Sequence, residues 1–120
     1  MQTLDFEQAR ANMIAQQIRT WDVLDDRVLK SLERLPREAF VPKDLRHLAF
    51  VDMELPLGEG QVMLAPKVEA RLLQELGLKA NDEALEIGTG SGYMAGLLSL
   101  HCRTVPTVEK YSRLPAFAQA

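Results

Sequence analysis

Apolar residues recur at the spacing of an α-helix through most of the first fifty residues. The pattern predicts a first helix over 5–18. A second helix begins at the pair Asp25-Asp26 and is stopped by Pro36, and Pro42 opens a short third helix. The apolar positions that define these helices are Phe6, Ala9, Met13, Ile14, Ile18, Val28, Leu29, Leu32, Leu35, Leu45 and Leu48. Trp21, in the link after the first helix, is expected to be a core or cap-packing residue.

Residues 50–64 have no helical period and contain a proline and two glycines. Such residues interrupt regular structure, so this segment is predicted to be an extended stretch with a tight loop. Asp52 and Glu54 alternate with apolar residues and are expected on the solvent-exposed face of an extended strand. Glu59, in the loop, is expected to be exposed to solvent.

From Pro66 the helical period returns, and Gly77 is expected to end this helix. Its predicted buried face carries Val68, Leu72, Leu73 and Leu76. A short buried run over 84–87, a glycine cluster, a helix over 93–100 and a second strand over 105–108 follow. This order is the opening of a parallel α/β sheet in which the two strands lie side by side. Pro106 removes one hydrogen bond from the second strand.

The chain has 120 residues, of which 47% are hydrophobic and 26% are charged, and its net charge is −3. This composition is that of one small globular domain and excludes a disordered or collagen-like chain. No apolar run reaches the roughly 18 residues of a membrane span. Tight binding to nucleic acid is not expected, since no basic block is longer than a dipeptide. The lone Cys102 and an N-terminus unlike a signal peptide favour the cytoplasm.

A glycine-rich segment lies directly between a predicted strand and a predicted helix. Its three glycines lack side chains, so backbone N–H groups can come close to a ligand and positive φ values are accessible. The helix that follows contributes the partial positive charge of its N-terminus. Glu109 ends the second strand, where a carboxylate can accept hydrogen bonds from both hydroxyls of a nucleotide ribose. The predicted cofactor-binding residues are Glu86, Gly88, Thr89, Gly90, Ser91, Gly92 and Glu109.

Two ligands fit this glycine pattern. A dinucleotide fingerprint uses Gly90, Gly92 and Ala95, which leaves Gly88 unused and places an acidic residue beside a pyrophosphate. S-adenosylmethionine carries a sulfonium and an ammonium group and no phosphate, so a carboxylate at Glu86 attracts it. The sequence favours S-adenosylmethionine over a dinucleotide, and it favours either over a glycine turn that binds nothing.

Segments outside the glycine loop match one known family in the same order along the chain. Leu35-Pro36 followed by Arg37-Glu38-Ala39-Phe40-Val41-Pro42 resembles that family's PRE-FVP segment. Leu55-Pro56-Leu57-Gly58-Glu59-Gly60-Gln61 resembles its LPIG-GQ loop, and Pro66 opens the next helix as it does in the family. Val108-Glu109 matches the acid of its second strand. Over about residues 6–109, the chain resembles the protein-L-isoaspartate O-methyltransferases.

The resemblance implies an α/β fold, the Rossmann-like fold of S-adenosylmethionine-dependent methyltransferases, truncated and with an N-terminal helical cap. Residues 1–65 are then the cap and the substrate-side loop, and residues 66–120 are the first part of the methyltransferase domain. The family methylates the carboxylate of L-isoaspartyl and D-aspartyl residues in damaged proteins, which starts their repair. A carboxylate is already ionised near pH 7, so no strong general base is needed and no catalytic residue is assigned. The implied substrate-side residues are Pro56, Gly58, Gly60, Gln61, Val62 and Leu64.

The chain departs from the family pattern in two places. Val62-Met63-Leu64 stands where the family has a Thr-Ile-Ser-like triplet, so two hydroxyls near the transferred methyl group are replaced by apolar side chains. Because an unpaired carboxylate is costly to bury there, a non-catalytic relative that binds the cofactor or a protein partner is one alternative. A nicotinamide- or flavin-dependent oxidoreductase is the other. Only 11 residues follow Glu109, so a fragment is expected, whose incomplete sheet favours a homodimer or a swapped oligomer.

The remaining polar candidates have structural interpretations. His47 is expected on a helix surface, and Tyr93 is expected to pack rather than to bind a ligand. His101 and Cys102 end a helix, where a histidine favours the negative end of the helix dipole. Two such residues do not make a metal site, so no metal is expected.

Overall fold

Helical turns fill the N-terminal part of the chain, as the apolar spacing predicts. The computed structural model describes residues 5–87 and 90–108. The helical segments before the first strand are α1 (Phe6–Met13), a π-helical turn (Ile14–Ile18), α2 (Asp26–Arg34), and 3-10 turns at Arg19–Trp21, Arg37–Phe40 and Lys43–Leu48. Asp5 caps α1 by accepting a hydrogen bond from the amide of Gln8, and Asp25 caps α2 by accepting one from the amide of Arg27. The predicted helices are confirmed, the third as a 3-10 helix.

Trp21 lies at the surface, so the core position expected for it is wrong, and its ring packs against a surface lysine instead. Asp22 adopts a left-handed backbone conformation with a φ of 62°, and the chain turns there. Val23 enters the core and is fully buried, whereas the Trp21 residue is 47% exposed. The indole ring is covered by Lys67, whose Nζ lies 4.5 Å from the ring centroid.

The segment without a helical period forms a two-stranded antiparallel hairpin. It consists of β1 (Leu55–Gly58) and β2 (Gln61–Met63). The two loop residues, Glu59 and Gly60, have φ values of 55° and 71°, and positive φ at both positions is typical of a type I′ turn. This turn matches the twist of the strands, so the predicted extended stretch with a tight loop is confirmed. Glu59 is exposed, as expected.

Asp52 and Glu54 do not lie on a strand, which corrects their expected role. Both residues are exposed, but they precede β1, and Asp52 lies in a bend over 51–53. The carboxylate of Asp52 instead forms an ion pair with Lys67, with 3.2 Å between Oδ2 and Nζ. Asp52 therefore joins the bend before the hairpin to the helix after it.

Helix α3 (Pro66–Leu76) presents to the core a different face from the one that its leucines predict. Its buried residues are Pro66, Glu69, Ala70 and Leu73. Leu72 and Leu76 are 48% and 56% exposed. The orientation that turns the carboxylate of Glu69 inward, toward a partner described below, turns these two leucines outward. Gly77 ends the helix in a left-handed conformation, as predicted.

Two short parallel strands flank the last helix. They are β3 (Glu86–Ile87) and β4 (Thr107–Val108), and α4 (Tyr93–Ser99) lies between them in the chain. Glu86 pairs with Thr107, and Ile87 pairs with Val108. The predicted side-by-side arrangement of the two strands is confirmed.

Pro106 interrupts this ladder, as its missing N–H predicts. The amides of Ala84 and Glu86 each donate a 3.0 Å hydrogen bond to a carbonyl of the second strand. In a parallel pair with this register, the amide of residue 106 would donate to the carbonyl of Ala84, and proline has no amide proton to donate. The ladder is therefore broken between an isolated bridge at Glu83 and the paired residues of β3 and β4.

The run over 84–87 is not buried throughout, contrary to the sequence prediction. Leu85 is 64% exposed, while Ala84 and Glu86 are half-buried. Successive side chains of a strand point to opposite faces, so Leu85 occupies the face away from its two neighbours. Nothing within residues 5–87 and 90–108 covers that side chain.

One apolar cluster joins the N-terminal helices to α3 and α4. Its buried members are Met13, Ile14, Ile18, Val23, Val28, Leu29, Leu32, Val41, Ala49, Phe50, Leu55, Leu57, Met63, Ala70, Leu73, Tyr93, Leu97 and Leu98. They come from both sides of the predicted boundary at residue 65, and the division into cap and domain stays a prediction. Within the described ranges, no helix has the length and apolar character that a bilayer span requires.

His101 is buried between α4 and α2 instead of serving the helix dipole at the surface. Its Nε2 lies 2.6 Å from Ser31 Oγ, and its Nδ1 lies 3.2 Å from the guanidinium of Arg27. The Ser31 hydroxyl donates its proton to the carbonyl of Arg27 at 2.9 Å, so it accepts from Nε2, and Nδ1 accepts from Arg27. This pattern requires a neutral imidazole. Burial and the charge of Arg27 lower the pKa of His101, against an opposing effect of Asp25.

We expect stability to decrease as the pH falls below about 6.5, the ordinary pKa of histidine. In that range the unfolded chain binds a proton at His101 that the folded chain excludes, which costs up to about 1.4 kcal/mol per pH unit. The variant His101→Gln keeps a side-chain N–H for Ser31 and has no imidazole to protonate, so its stability should depend less on pH. Urea unfolding of both proteins between about pH 5 and pH 7.5 measures the difference. Parallel pH profiles would contradict this assignment.

Candidate functional site

The glycine loop opens helix α4 through backbone conformations that favour glycine. Gly90 has a φ of +59° and Gly92 a φ of +86°, and both values lie in the left-handed region. Gly92 precedes the first residue of α4, and its carbonyl accepts a 3.0 Å hydrogen bond from the amide of Gly96. From Gly90 the chain therefore turns into α4 with no side chain at either glycine.

Ser91, between these two glycines, points into the protein. The residue is 4% exposed, and its Oγ accepts a hydrogen bond from the amide of Tyr93 at 3.2 Å. This contact satisfies one of the amides that have no partner within the first turn of a helix. The backbone of Ser91 remains a candidate for contact with a cofactor, while its side chain holds the turn.

The structure brings part of the predicted cofactor set into one strand, turn and helix. Glu86 lies on β3, half-buried, and its amide donates to the carbonyl of Pro106. Gly90, Ser91 and Gly92 form the turn before α4. The remaining predicted positions, Gly88, Thr89 and Glu109, lie outside the described residues.

The hairpin lies directly against the glycine loop. A Cβ placed on Gly90 would lie 3.8 Å from Cδ1 of Leu57, a buried residue of β1. The substrate-side residues Pro56, Gly58, Gly60, Gln61 and Val62 are exposed on the same hairpin. The two predicted halves of the site, one for the cofactor and one for the methyl acceptor, are therefore neighbours.

In the triplet Val62-Met63-Leu64, the middle side chain is buried and the two outer side chains are more exposed to solvent. Met63 is 3% exposed and belongs to the core. Val62 is 44% exposed, and Leu64 is half-buried. Because side chains alternate along a strand, the two positions that lack a hydroxyl are those that β2 and its continuation leave accessible.

A buried arginine lies beneath the hairpin and the first turn of α4. Arg37 is 1% exposed, and its Nη1 donates to the carboxylate of Glu69, which is 3% exposed. Its Nε donates to the carbonyl of Ala49 at 2.7 Å, and its Nη2 donates to the carbonyl of Leu64 at 2.9 Å. Its Cζ lies 4.8 Å from the centroid of the Tyr93 ring.

Burial has the largest effect on the pKa values of Glu69 and Tyr93, the two titratable groups beside Arg37. Desolvation raises the pKa of Glu69, although the charge and the hydrogen bond of Arg37 both act to lower it. Desolvation also raises the pKa of the Tyr93 phenol, with a smaller opposing effect of Arg37. Tyr93 packs against Phe40 in an edge-to-face contact with ring centroids 5.6 Å apart, which confirms its expected packing role.

The sequence motifs did not identify Arg37 and Glu69 as site residues. Arg37 appeared there only as part of a motif, and Glu69 was left outside the buried face of α3. A signal was present, because Glu69 lies three residues after Pro66 and four before Leu73, on one helical face. A carboxylate within such a face needs a buried cation as its partner.

Other candidate sites lie away from the glycine loop. Two surface grooves of about 370 and 260 Å³ run along α1, and neither is lined by a residue of the loop or the hairpin. His47, exposed as expected, borders the smaller groove. Over the described part of the chain, no group of three or more His, Cys, Asp or Glu residues is arranged to hold a metal ion.

Comparison with known proteins assigns the chain to a family. A family model described as protein-L-isoaspartate(D-aspartate) O-methyltransferase matches residues 8–119. The protein-L-isoaspartate O-methyltransferase of Petrotoga mobilis is 41% identical over 111 residues, which make up 92% of this chain and 52% of that protein. The enzyme of the same name from Methanoculleus marisnigri is 43% identical over 109 residues, 91% of this chain and 48% of that protein. The chain thus spans about half the length of the curated relatives that it matches.

Solved structures agree in fold. A Plasmodium falciparum protein assigned as a protein-L-isoaspartate O-methyltransferase, solved in complex with S-adenosyl-L-homocysteine, has a TM-score of 0.70 at 18% identity. The match covers 98% of this chain and 54% of that one. A second solved protein-L-isoaspartate O-methyltransferase has a TM-score of 0.72 at 24% identity, over 96% of this chain and 37% of that one. These likenesses confirm the predicted α/β methyltransferase fold, and together with the family match over residues 8–119 they complete the assignment: the chain belongs to the protein-L-isoaspartate(D-aspartate) O-methyltransferase family.

Proposed function

We propose that this chain forms the cofactor-binding and acceptor-side part of an S-adenosylmethionine-dependent methyltransferase. Its substrates are isoaspartyl residues of damaged proteins, its methyl ester product begins their repair, and its compartment is the cytoplasm. The contact between the hairpin and the glycine loop carries the proposal, because methyl transfer requires donor and acceptor sites to adjoin. Family membership does not favour the two alternatives, a non-catalytic relative and a nicotinamide-dependent oxidoreductase.

The residues around the loop suit a cationic cofactor without phosphate. Gly90 and Gly92 leave the backbone open to close approach, and a carboxylate at Glu86 would offset the positive charge of the bound molecule. Glu109 is proposed to accept hydrogen bonds from the ribose hydroxyls. When bound, S-adenosylmethionine would supply a methyl group on a sulfonium, and transfer of that methyl to a carboxylate oxygen would break the S–CH3 bond and release S-adenosylhomocysteine.

The hairpin is proposed to orient the acceptor and to exclude water. An isoaspartyl carboxylate needs no proton removed before it attacks, so positioning supplies most of the rate. Val62 and Leu64 contribute apolar surface and no hydroxyl donor. Burial of the acceptor carboxylate against them without a hydrogen-bond partner is unfavourable, which lowers the expected activity toward isoaspartate.

S-adenosylhomocysteine should bind to this chain, and NADH should not. In the variant Gly90→Ala the free loop can leave the left-handed conformation, which costs alanine about 1–2 kcal/mol, and binding must restore it, so the affinity should fall about five- to thirtyfold. Isothermal titration calorimetry of the cofactor-free protein measures both effects.

Gly77→Ala is the matched control for that substitution. Gly77 has a φ of +57°, close to that of Gly90, and it ends α3 away from the glycine loop. The control should lose stability and keep its affinity for S-adenosylhomocysteine. Binding of NADH in place of S-adenosylhomocysteine would overturn the assignment of the cofactor.

Restoring the missing hydroxyls should increase isoaspartate methylation. The double variant Val62→Thr/Leu64→Ser supplies two donors at the accessible positions of the hairpin, each hydrogen bond to a carboxylate contributing about 1.5–3 kcal/mol. Transfer of a labelled methyl group to an isoaspartyl peptide is the measurement.

The variant Val51→Thr/Leu78→Ser controls for added hydroxyls elsewhere. Val51 is 42% exposed and Leu78 is half-buried, so the two sites match Val62 and Leu64 in exposure and lie off the hairpin. This control should leave methylation unchanged. Equal activity of the hairpin variant and the wild type, with S-adenosylhomocysteine bound by both, would contradict the proposed role of the triplet.

A second copy of the chain is the proposed partner of its exposed leucines. Leu85 on the sheet is 64% exposed, and Leu72 and Leu76 expose more than 45% on α3. Sedimentation analysis should detect self-association that increases with concentration, and Leu85→Lys should reduce it. Leu24→Lys is the control, since Leu24 is 59% exposed and lies outside the sheet. A monomer at every concentration would contradict the proposal.

A further inference from the structure

We infer that Arg37 is a positioning residue that fixes the acceptor-side hairpin relative to the helix after the glycine loop. The functional meaning of this inference rests on the proposed function, because it concerns how the cofactor side and the acceptor side of the proposed site are aligned. It does not rest on that function for its geometry, which lies wholly within the described residues.

Each nitrogen of the Arg37 side chain has its own partner. Nη1 donates to Glu69 on α3, Nε to the carbonyl of Ala49, and Nη2 to the carbonyl of Leu64. The planar guanidinium also lies against the Tyr93 ring, with Cζ 4.8 Å from its centroid. A planar guanidinium carries donors on three nitrogens that point in different directions, whereas the ammonium of lysine has all of its donors on one nitrogen.

Two of these partners belong to the two parts of the site. Leu64 directly follows Met63, the last residue of β2, so its carbonyl is the end of the hairpin. Tyr93 is the first residue of α4 and follows Gly92 in the glycine loop. Arg37 therefore joins the end of the acceptor-side strand to the start of the helix on the cofactor side.

Arg37 makes more contacts than its ion pair with Glu69 requires. That pair uses Nη1 alone, and it would remain if Nε, Nη2 and the face of the guanidinium had other surroundings. Two further hydrogen bonds, at 2.7 and 2.9 Å, and the ring contact fix the plane of the group. A fixed plane sets the position of the hairpin end relative to Tyr93.

The double variant Arg37→Met/Glu69→Met separates this role from structural support. It removes both buried charges together, and apolar side chains of similar volume commonly replace a buried ion pair without loss of stability. Because the carbonyls of Ala49 and Leu64 also lose their donor, the thermal midpoint should fall by several degrees while the variant stays folded at room temperature. Its Leu64 carbonyl and Tyr93 ring then lack the guanidinium that joins them.

Hydrogen exchange of the cofactor-free protein is the readout. In the double variant, amides over 61–65 and 90–93 should exchange about tenfold faster than in the wild type, while amides of α1 and α2 keep their rates. Rates that change uniformly along the chain, or not at all, would overturn the inference. Because no cofactor is added, this result does not depend on whether the proposed function is correct.

Arg37→Lys provides a second variant that keeps a cation beside Glu69. One ammonium cannot reach Glu69, Ala49 and Leu64 together, so the same two sets of amides should exchange faster in an otherwise intact protein. Wild-type exchange over 61–65 and 90–93 in this variant would overturn the inference.

Affinity for S-adenosylhomocysteine then tests the link to function. If the wild type binds it, both variants should bind about tenfold more weakly. Full affinity in variants whose exchange is faster would overturn the role of Arg37 in aligning the site. Failure of the wild type to bind would refute the proposed function and leave the exchange result to decide the inference.

Discussion

A guanidinium group removed from water is costly unless its charge and its nitrogens find partners, and each nitrogen of the buried Arg37 side chain donates a hydrogen bond. The carboxylate of Glu69 must face inward from α3, and the carbonyls of Ala49 and Leu64 must point at the same group. The orientation of α3 follows from this requirement. Leu72, on another face of the same helix, is 48% exposed as a result.

The contacts of Arg37 also determine how the hairpin and the glycine loop lie relative to each other. The hairpin ends at a carbonyl that Arg37 holds, and Leu57 on its first strand touches the position of Gly90. On the other side, Ser91 caps the first turn of α4 and Tyr93 lies buried against the guanidinium. The turn at Gly90–Gly92 is therefore backed by buried side chains that contact one another, and such support favours a preorganised site.

Local signals predicted much of the fold, and long-range requirements accounted for the rest. Aspartate caps, Gly77 and Pro106 act through neighbouring backbone, so the sequence alone placed the helix ends and the break in the ladder. Apolar periodicity counts only hydrophobic residues, so it could not select a face of α3 that contains Glu69. Trp21 was misplaced for a related reason: a left-handed residue beside it decides which side chain turns inward. The role of Arg37 depends on partners 12 to 56 residues away, which no local pattern encodes.

The position of Trp21 has a spectroscopic consequence. It is the only tryptophan in the chain, and 47% of the residue is exposed while Lys67 covers one part of its ring. An indole that is half exposed in the native state is expected to emit as one in contact with water, so unfolding should shift its emission little. The same indole lies beside the first turn of α3, directly after the end of the hairpin. Its emission is thus a poor measure of global unfolding and reports instead on the contact between this indole and Lys67 at the start of α3.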